Sequence, residues 1–349
     1  MLILALLFCP LILWSADYSG YHYELFFERQ PSAKANSMGQ ALTAQNDGAY
    51  TAYYNPAAII GNAGSTGGYS ETSPYYLQND ASYKYWGFTH EWGNKGTFGI
   101  SRYNVSISDP NAIYVSGGDK PKQETSLYTL SFARVIATNF SLGLNVSLYH
   151  QHTVDNFNLM AWPIDVGALK TWHLSQEGNP QHFSIGLVMR NINGAKIEDD
   201  IYYGPNVENG TLPTIMRVGA AWQKVYLTQS LLPQYLLPGI VFTAEYEKVL
   251  NSPEQSAIRG GAEFSFIDMA FFRFGYYTSK LDPGFTGGKT SISDFTYGLG
   301  LKIDLNDFVE DEFPMIIRAD YLQMVQPSYK NSLENAEFST FCLQVQWLY

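Results

Sequence analysis

From about Asn62 to Tyr349 the chain alternates between apolar and small or polar residues, and fourteen segments with this pattern can be counted. In the segment from Asn139 to Tyr149, Phe140, Leu142, Leu144, Val146 and Leu148 alternate with Ser141, Gly143, Asn145 and Ser147. Successive side chains of a strand point to opposite faces, so one face is apolar and the other small and polar. Asp294 to Leu305 repeats the pattern, with Phe295, Tyr297, Leu299, Leu301 and Ile303 against Thr296, Gly298, Gly300, Lys302 and Asp304. Two further segments set Ile258, Ala262, Phe264 and Phe266 against Arg259, Gly261, Glu263 and Ser265, and Phe272, Phe274 and Tyr276 against Arg273 and Gly275.

Such alternation suits a soluble β-sandwich as well as a membrane barrel. Three features favour the barrel. The segments run ten to thirteen residues, which is the length of a tilted membrane-crossing strand rather than of an ordinary soluble one. Aromatic residues gather at segment ends, as at Tyr83, Tyr85, Trp86 and Trp92, where interfacial girdles are expected. Finally, Gly, Ser and charged residues occupy the middle of the polar face. The fold class expected is therefore all-β, a transmembrane antiparallel barrel of about fourteen strands.

Composition agrees. Only 15% of the 349 residues are charged, while 15% are aromatic, with 26 Tyr and 30 Gly; a soluble domain carries about 25% charged residues. The net charge of −11 argues against nucleic acid as a partner. Leu2 to Leu13 is an apolar run, shorter than the ~20 residues of a spanning helix. It predicts a signal peptide over residues 1–16, cut near Ser15 or Ala16. Cys9 would leave with it, so Cys342 would stand alone and no internal disulfide is expected. The last segment alternates Phe341, Leu343, Val345, Trp347 and Tyr349 with Thr340, Cys342, Gln344 and Gln346. It resembles the terminal strand that outer-membrane assembly machinery recognises.

One part of the chain does not read as strand. In Pro31 to Gly61, Ala35, Met38, Ala41 and Leu42 have helical spacing, followed by the turn Asn46-Asp47-Gly48 and by Tyr53-Tyr54-Asn55-Pro56-Ala57-Ala58. Pro56 removes a donor and drives Asn55 out of the helical region. Residues 17–61 are too polar to cross a membrane, so they must hang in the periplasm or fill the lumen, ahead of a barrel over 62–349. Ser32-Ala33-Lys34-Ala35, Met38-Gly39 and Asn55-Pro56-Ala57 together resemble the N-terminal region of FadL-like outer-membrane proteins, a superfamily of long-chain fatty acid transporters and PorV-type proteins of the type IX secretion system. Gln40 stands where that family usually has a second Gly. The resemblance implies that the segment is a hatch, with Met38, Gly39, Asn55, Pro56 and Ala57 at its seat.

Read in register, Arg190, Arg217, Arg259, Arg273, Lys302 and Arg318 share the polar face with Glu245, Glu247, Glu263, Asp304 and Asp320. A charge on the lipid face costs about 2–4 kcal/mol near mid-membrane, so this face must be the lumen. The charges could form a salt-bridge network that holds barrel and insert, or an arginine could bind an anionic amphiphile's head group through its bidentate fork. His150-Gln151-His152 puts two imidazoles on one face without a third ligand, so no metal is expected. Neither a phosphate-binding Gly-rich loop nor a nucleophile elbow is present, and no enzyme or cofactor is expected.

Two functions follow from the resemblance. One is passive passage of hydrophobic or amphipathic small molecules. The other is a PorV-like role, in which loops such as Asn193 to Leu212 bind secreted protein cargo. The expected location is the outer membrane of a Gram-negative-type bacterium, with lipid and the assembly machinery as further partners.

Overall fold

The computed structural model describes residues 30–72, 82–108, 122–152, 158–175, 180–199, 211–225, 239–251, 255–266, 269–280, 291–307, 314–325 and 337–348. The predicted signal peptide, residues 17–29 of the insert and Tyr349 lie outside them.

The strands in chain order are β1 (Ser65–Thr72), β2 (Ser82–Glu91), β3 (Thr97–Ser108), β4 (Lys122–Ala137), β5 (Phe140–His152), β6 (Asn158–Ala161), β7 (Ile164–Ser175), β8 (Gln181–Arg190), β9 (Glu198–Asp199), β10 (Ile215–Val225), β11 (Gly239–Val249), β12 (Ser256–Phe266), β13 (Ala270–Lys280), β14 (Ser291–Asp304), β15 (Met315–Val325) and β16 (Glu337–Trp347). The short β6 and β9 hang as a side arm from the end of β5. The remaining fourteen pair antiparallel with their neighbours, and the ring closes where β1 meets β16 and β4 meets β5. Closure leaves no unpaired edge, which is what a sheet in lipid requires.

The alternation read from the sequence sorts onto the two faces as expected. Leu142, Leu144 and Val146 are exposed on the outer surface while Ser141, Asn145 and Ser147 are buried inside. On β14, Phe295, Tyr297, Leu299 and Leu301 face outward and Thr296 inward. Phe341, Leu343, Val345 and Trp347 of β16 form part of the outer surface, and Thr340, Cys342 and Gln344 line the lumen.

Two aromatic residues depart from the expectation. Tyr83 and Tyr85 were placed in an interfacial girdle, but both are buried in the lumen, whereas Trp86 and Trp92 are exposed. The reason is parity: Tyr83 and Tyr85 share the inward face of β2, and Trp86 lies on the other.

The turn at Gly93–Lys95 and the turn at residues 138–139 lie at one end of the barrel. Short turns face the periplasm in outer-membrane barrels, so this end is called periplasmic here. The segments 109–121, 200–210, 281–290 and 326–336 fall in links at the opposite end and lie outside the described residues. The apolar link 226–238 also lies outside them.

The insert runs up into the barrel. Its first helix, α1 (Ala33–Ser37), is capped by Ser32, whose hydroxyl accepts from the Ala35 amide. The helical spacing predicted through Leu42 is cut short because Gly39 and Gln40 take φ of 64° and 68°. A second helix, α2 (Thr51–Tyr54), ends at Asn55, and a 3-10 turn covers Pro56–Gly61. From Gln30 to Ile59 nearly every residue is buried, so the described part of the insert fills the lumen.

The outer surface generates the first prediction. Leu299→Arg, on the outward face of β14, should destabilise the lipid-embedded barrel by about 2–4 kcal/mol, read as a lowered urea midpoint in liposomes. An unchanged midpoint would mean that this face does not meet lipid.

Candidate functional site: the plugged lumen

The insert is seated on glycines. Four pairs of them lie directly across neighbouring strands: Gly68 with Gly87, Gly143 with Gly167, Gly186 with Gly219, and Gly261 with Gly275. All face the lumen, and each pair receives one part of the insert. Ala49 lies on the first pair, Asn55 to Ala57 on the second, Thr43 and Ala44 on the third, and Met38 with Gly39 on the fourth. A Cβ on Gly261 would stand 2.5 Å from the Met38 carbonyl oxygen, and one on Gly143 would stand 2.6 Å from that of Pro56. Two facing strands that both lack a side chain therefore form a hollow deep enough for another backbone. The two motifs singled out in the sequence, Met-Gly and Asn-Pro-Ala, each occupy one of these hollows.

Close approach lets wall side chains bond the insert's backbone. Glu245 accepts from the amides of Leu42 and Thr43 at 3.1 and 2.9 Å. Thr296 donates to the Ser37 carbonyl and accepts from the Gly39 amide. Tyr85 donates to the Ala49 carbonyl, Asn145 to that of Ala52 and Ser141 to that of Ala57. Asn55 works in both directions. Its amide donates to the carbonyls of Thr43 and Ala168, and its oxygen accepts from the Ala57 amide to cap the turn begun by Pro56. Even the Cys342 thiol takes part, accepting from the Ala33 amide at 3.1 Å.

The lumenal charges fall into neutral clusters at two heights. Toward the extracellular end, Arg217 stands opposite Glu247 and Arg259 opposite Glu245 across the ladder. Arg259 reaches Glu245 at 3.1 Å and Glu247 at 2.9 Å, and Arg217 pairs with both carboxylates. Beside them Arg190 meets Asp165 at 3.7 Å. Toward the periplasmic end, Arg273 joins Glu263 and Asp320 at 2.6 and 2.7 Å, and Arg318 joins Asp320 at 2.9 Å. The insert completes this second cluster: Lys34 lies 3.4 Å from Glu263, and Asp47 lies 3.0 Å from Arg318. Asp47 also accepts from the Ser32 hydroxyl. Removing one partner of such a buried pair costs about 3–5 kcal/mol because the other charge is stranded. Lys302 and Asp304 share the inward face but are only half-buried at the periplasmic end of β14, where Asp304 accepts from the Asn306 amide.

Beside the first cluster, insert and wall pack together in a tyrosine-rich apolar region. Tyr50 and Tyr85, Tyr85 and Tyr103, Tyr103 and Tyr53, and Tyr53 and Tyr54 have ring centroids 5.0–6.0 Å apart. Val105, Leu127, Tyr149, Leu212, Leu322 and Phe338 continue the cluster. The Arg190 guanidinium lies 4.6 Å from the Tyr53 ring centroid. Burial pushes the Tyr53 phenol up, and the neighbouring arginines pull it part of the way back. Sequence reading missed these tyrosines as lumenal. The inward parity of Tyr83, Tyr85, Tyr103, Tyr149 and Leu127 was the available signal.

His150 and His152 lie on the side of β5 away from the lumen, whereas Gln151 is buried inside. A recess of about 300 Å³ lined by Phe264, Phe266, Phe272 and Phe274 opens on the outer surface rather than into the lumen.

A solved toluene transporter, TodX of Pseudomonas putida, superposes with a TM-score of 0.52 over 92% of this chain and 99% of its own, at 10% identity. The toluene transporter TbuX of Ralstonia pickettii gives 0.48 over 93% and 100%, at 11% identity. A FadL homologue of Pseudomonas aeruginosa gives 0.43 over 91% and 98%, at 13% identity. The chain has the FadL-like outer-membrane barrel fold. No protein-family model matches it, and no curated protein matches it either. In this FadL-like barrel two of the three segments that carried the resemblance, Met38-Gly39 and Asn55-Pro56-Ala57, are seated on glycine pairs.

Three outcomes follow from this geometry. Gly39→Ala should cost about 2 kcal/mol or more, because φ is 64° and the new Cβ would meet the Tyr276 and Gly260 carbonyls at 2.5 and 2.6 Å. Gln40→Gly should stay within about 1 kcal/mol, since relief of strain offsets loss of the Gln30 hydrogen bond. Chemical denaturation of the refolded barrel compares the two, and equal effects would show that the seat does not constrain Gly39. Deleting residues 17–45 should raise single-channel conductance in planar bilayers; a trace identical to the full chain's would argue against a plug.

Proposed function

We propose that this barrel passes hydrophobic or amphipathic small molecules across the outer membrane of a Gram-negative-type bacterium. The observation that carries the reading is the pairing of a lumen stoppered by the insert with a tyrosine- and leucine-rich region where the insert meets the wall. Water-filled porins keep polar lumens; a lining of Tyr, Val, Leu and Phe favours solutes that leave water readily. The fold likeness to the toluene transporter TodX supports the same reading. Solute would be taken from the extracellular loops into this region, and local movement of the insert or wall would release it.

Among the lumenal arginines, Arg217 suits an amphiphile's head group. It is fully buried, and its Nη1 and Nη2 have no hydrogen-bond acceptor among the described residues. A carboxylate beside it would find two parallel donors. Met38, Gly39, Asn55, Pro56 and Ala57 act in this reading as the fixed seats of the hatch. The β16 alternation serves membrane assembly. The cargo-shuttle alternative gains no support from the fold comparisons, and most of the loops it would use lie outside the described residues.

Uptake of a labelled hydrophobic solute and of a labelled sugar is the direct test, in outer-membrane vesicles with and without the protein. The expected result is several-fold faster entry of the hydrophobic solute and unchanged entry of the sugar. Equal rates for both solutes in the two vesicle types, with folded barrel present, would overturn the proposal.

A further inference from the structure

At the periplasmic mouth of the lumen, β7 and β8 place two histidines face to face. His173 pairs directly with His182 across the ladder. Their Nδ1 atoms stand 2.7 Å apart, and the rings meet edge to face at 88° with centroids 4.7 Å apart. Both belong to the inward face: Thr171 and Ser184, one pair further in, join their hydroxyls at 3.0 Å, and Gly167 and Gly186 on the same face receive the insert. A register shift between His173 and Ser175 leaves Leu174 as an extra residue. Such a bulge bends its strand and re-aims the neighbouring side chains.

Two imidazole nitrogens at this distance cannot face each other bare. Two lone pairs would repel, and so would two N–H groups, so one electrophile must sit between them: a shared proton or a metal ion. Metal–nitrogen bonds of about 2.0–2.1 Å meeting near a right angle would hold the two nitrogens about 2.9 Å apart. The observed spacing is within a small side-chain adjustment of that value.

We propose that His173 and His182 bind one divalent transition-metal ion that favours imidazole nitrogen in a square or tetragonal shell, such as Cu(II) or Ni(II). Among the described residues no group of three or more His, Cys, Asp and Glu is assembled to hold a metal. The ion therefore takes two protein nitrogens and completes its shell with water. His173 is exposed and His182 partly so, which leaves room for those waters and makes the ion exchangeable rather than a structural centre. Bound there, it fastens β7 to β8 where the bulge interrupts their ladder, on the same two strands that carry Gly167 and Gly186 beneath the insert. The site stands on its own geometry and does not depend on which solute the barrel passes.

The test is Cu(II) titration of the full chain in detergent micelles, without an affinity tag and after chelator washing, followed by electron paramagnetic resonance. The expected result is one Cu(II) per chain with the hyperfine pattern of two imidazole nitrogens. His173→Gln and His182→Gln should each weaken binding at least tenfold, and His150→Gln with His152→Gln should leave it unchanged. Heat-modifiable gel migration confirms that each variant is a folded barrel. Absence of binding, a single-nitrogen spectrum, or binding that survives in the His173→Gln/His182→Gln double variant would each overturn the site and leave the pair sharing a proton.

Discussion

A polypeptide backbone at membrane depth must satisfy every amide and carbonyl within the protein, and this constraint shapes the whole molecule. The wall meets it by closing fourteen strands into a ring. The insert cannot meet it that way, because its helices are only five and four residues long and leave most of their end groups unbonded. The wall has to supply partners, and short side chains such as Thr296, Ser141 and Asn145 reach only if the insert lies against the strands. The cross-strand glycine pairs make that approach possible. Backbone satisfaction, glycine placement and the route of the insert are thus one requirement seen from three sides.

The charges follow from the same enclosure. Lipid excludes them from the outer face, and the lumen accepts them only as balanced clusters. Arg217, Arg259, Glu245 and Glu247 balance within the wall, and Glu245 also takes two amides of the insert. The second cluster is neutral within the wall as Glu263, Arg273, Arg318 and Asp320, and the insert adds one charge of each sign to it through Lys34 and Asp47. With the insert removed, that cluster would lose one positive and one negative group, each held at 3.4 Å or less from a wall partner. Lys34 and Asp47 thus tie the insert to the charges of the wall. A mobile hatch would have to break these contacts together, which favours local rearrangement over expulsion of the whole segment.

The tyrosine region gives the barrel a different character from a water-filled pore. Its rings stack on the insert through Tyr50, Tyr53 and Tyr54 and on the wall through Tyr85 and Tyr103. It combines apolar rings packed together with hydroxyl groups that bond the backbone, as Tyr85 does at Ala49 and Tyr50 at Tyr69. A region built in this way is cohesive without being rigidly polar, which suits transient occupation by a hydrophobic molecule.

Alternation in the sequence determined the strands, their two faces and the inward placement of Arg190, Arg217, Arg259, Glu263, Arg273, Arg318 and Asp320, because a period of two and the cost of charge in lipid leave no other arrangement. It also marked the insert, since Pro31, Pro56 and Asn55 break any regular element. Three things were decided only by tertiary structure. Gly68 and Gly87, or Gly261 and Gly275, are far apart or unremarkable in sequence, and become hollows only when register sets them side by side. Tyr83 and Tyr85 read as girdle residues until the lumenal face of β2 was known. His173 and His182 meet because a bulge and a ladder register bring their rings together. Pattern along one strand is a local property of the chain, whereas what stands across from it depends on how the ring closes.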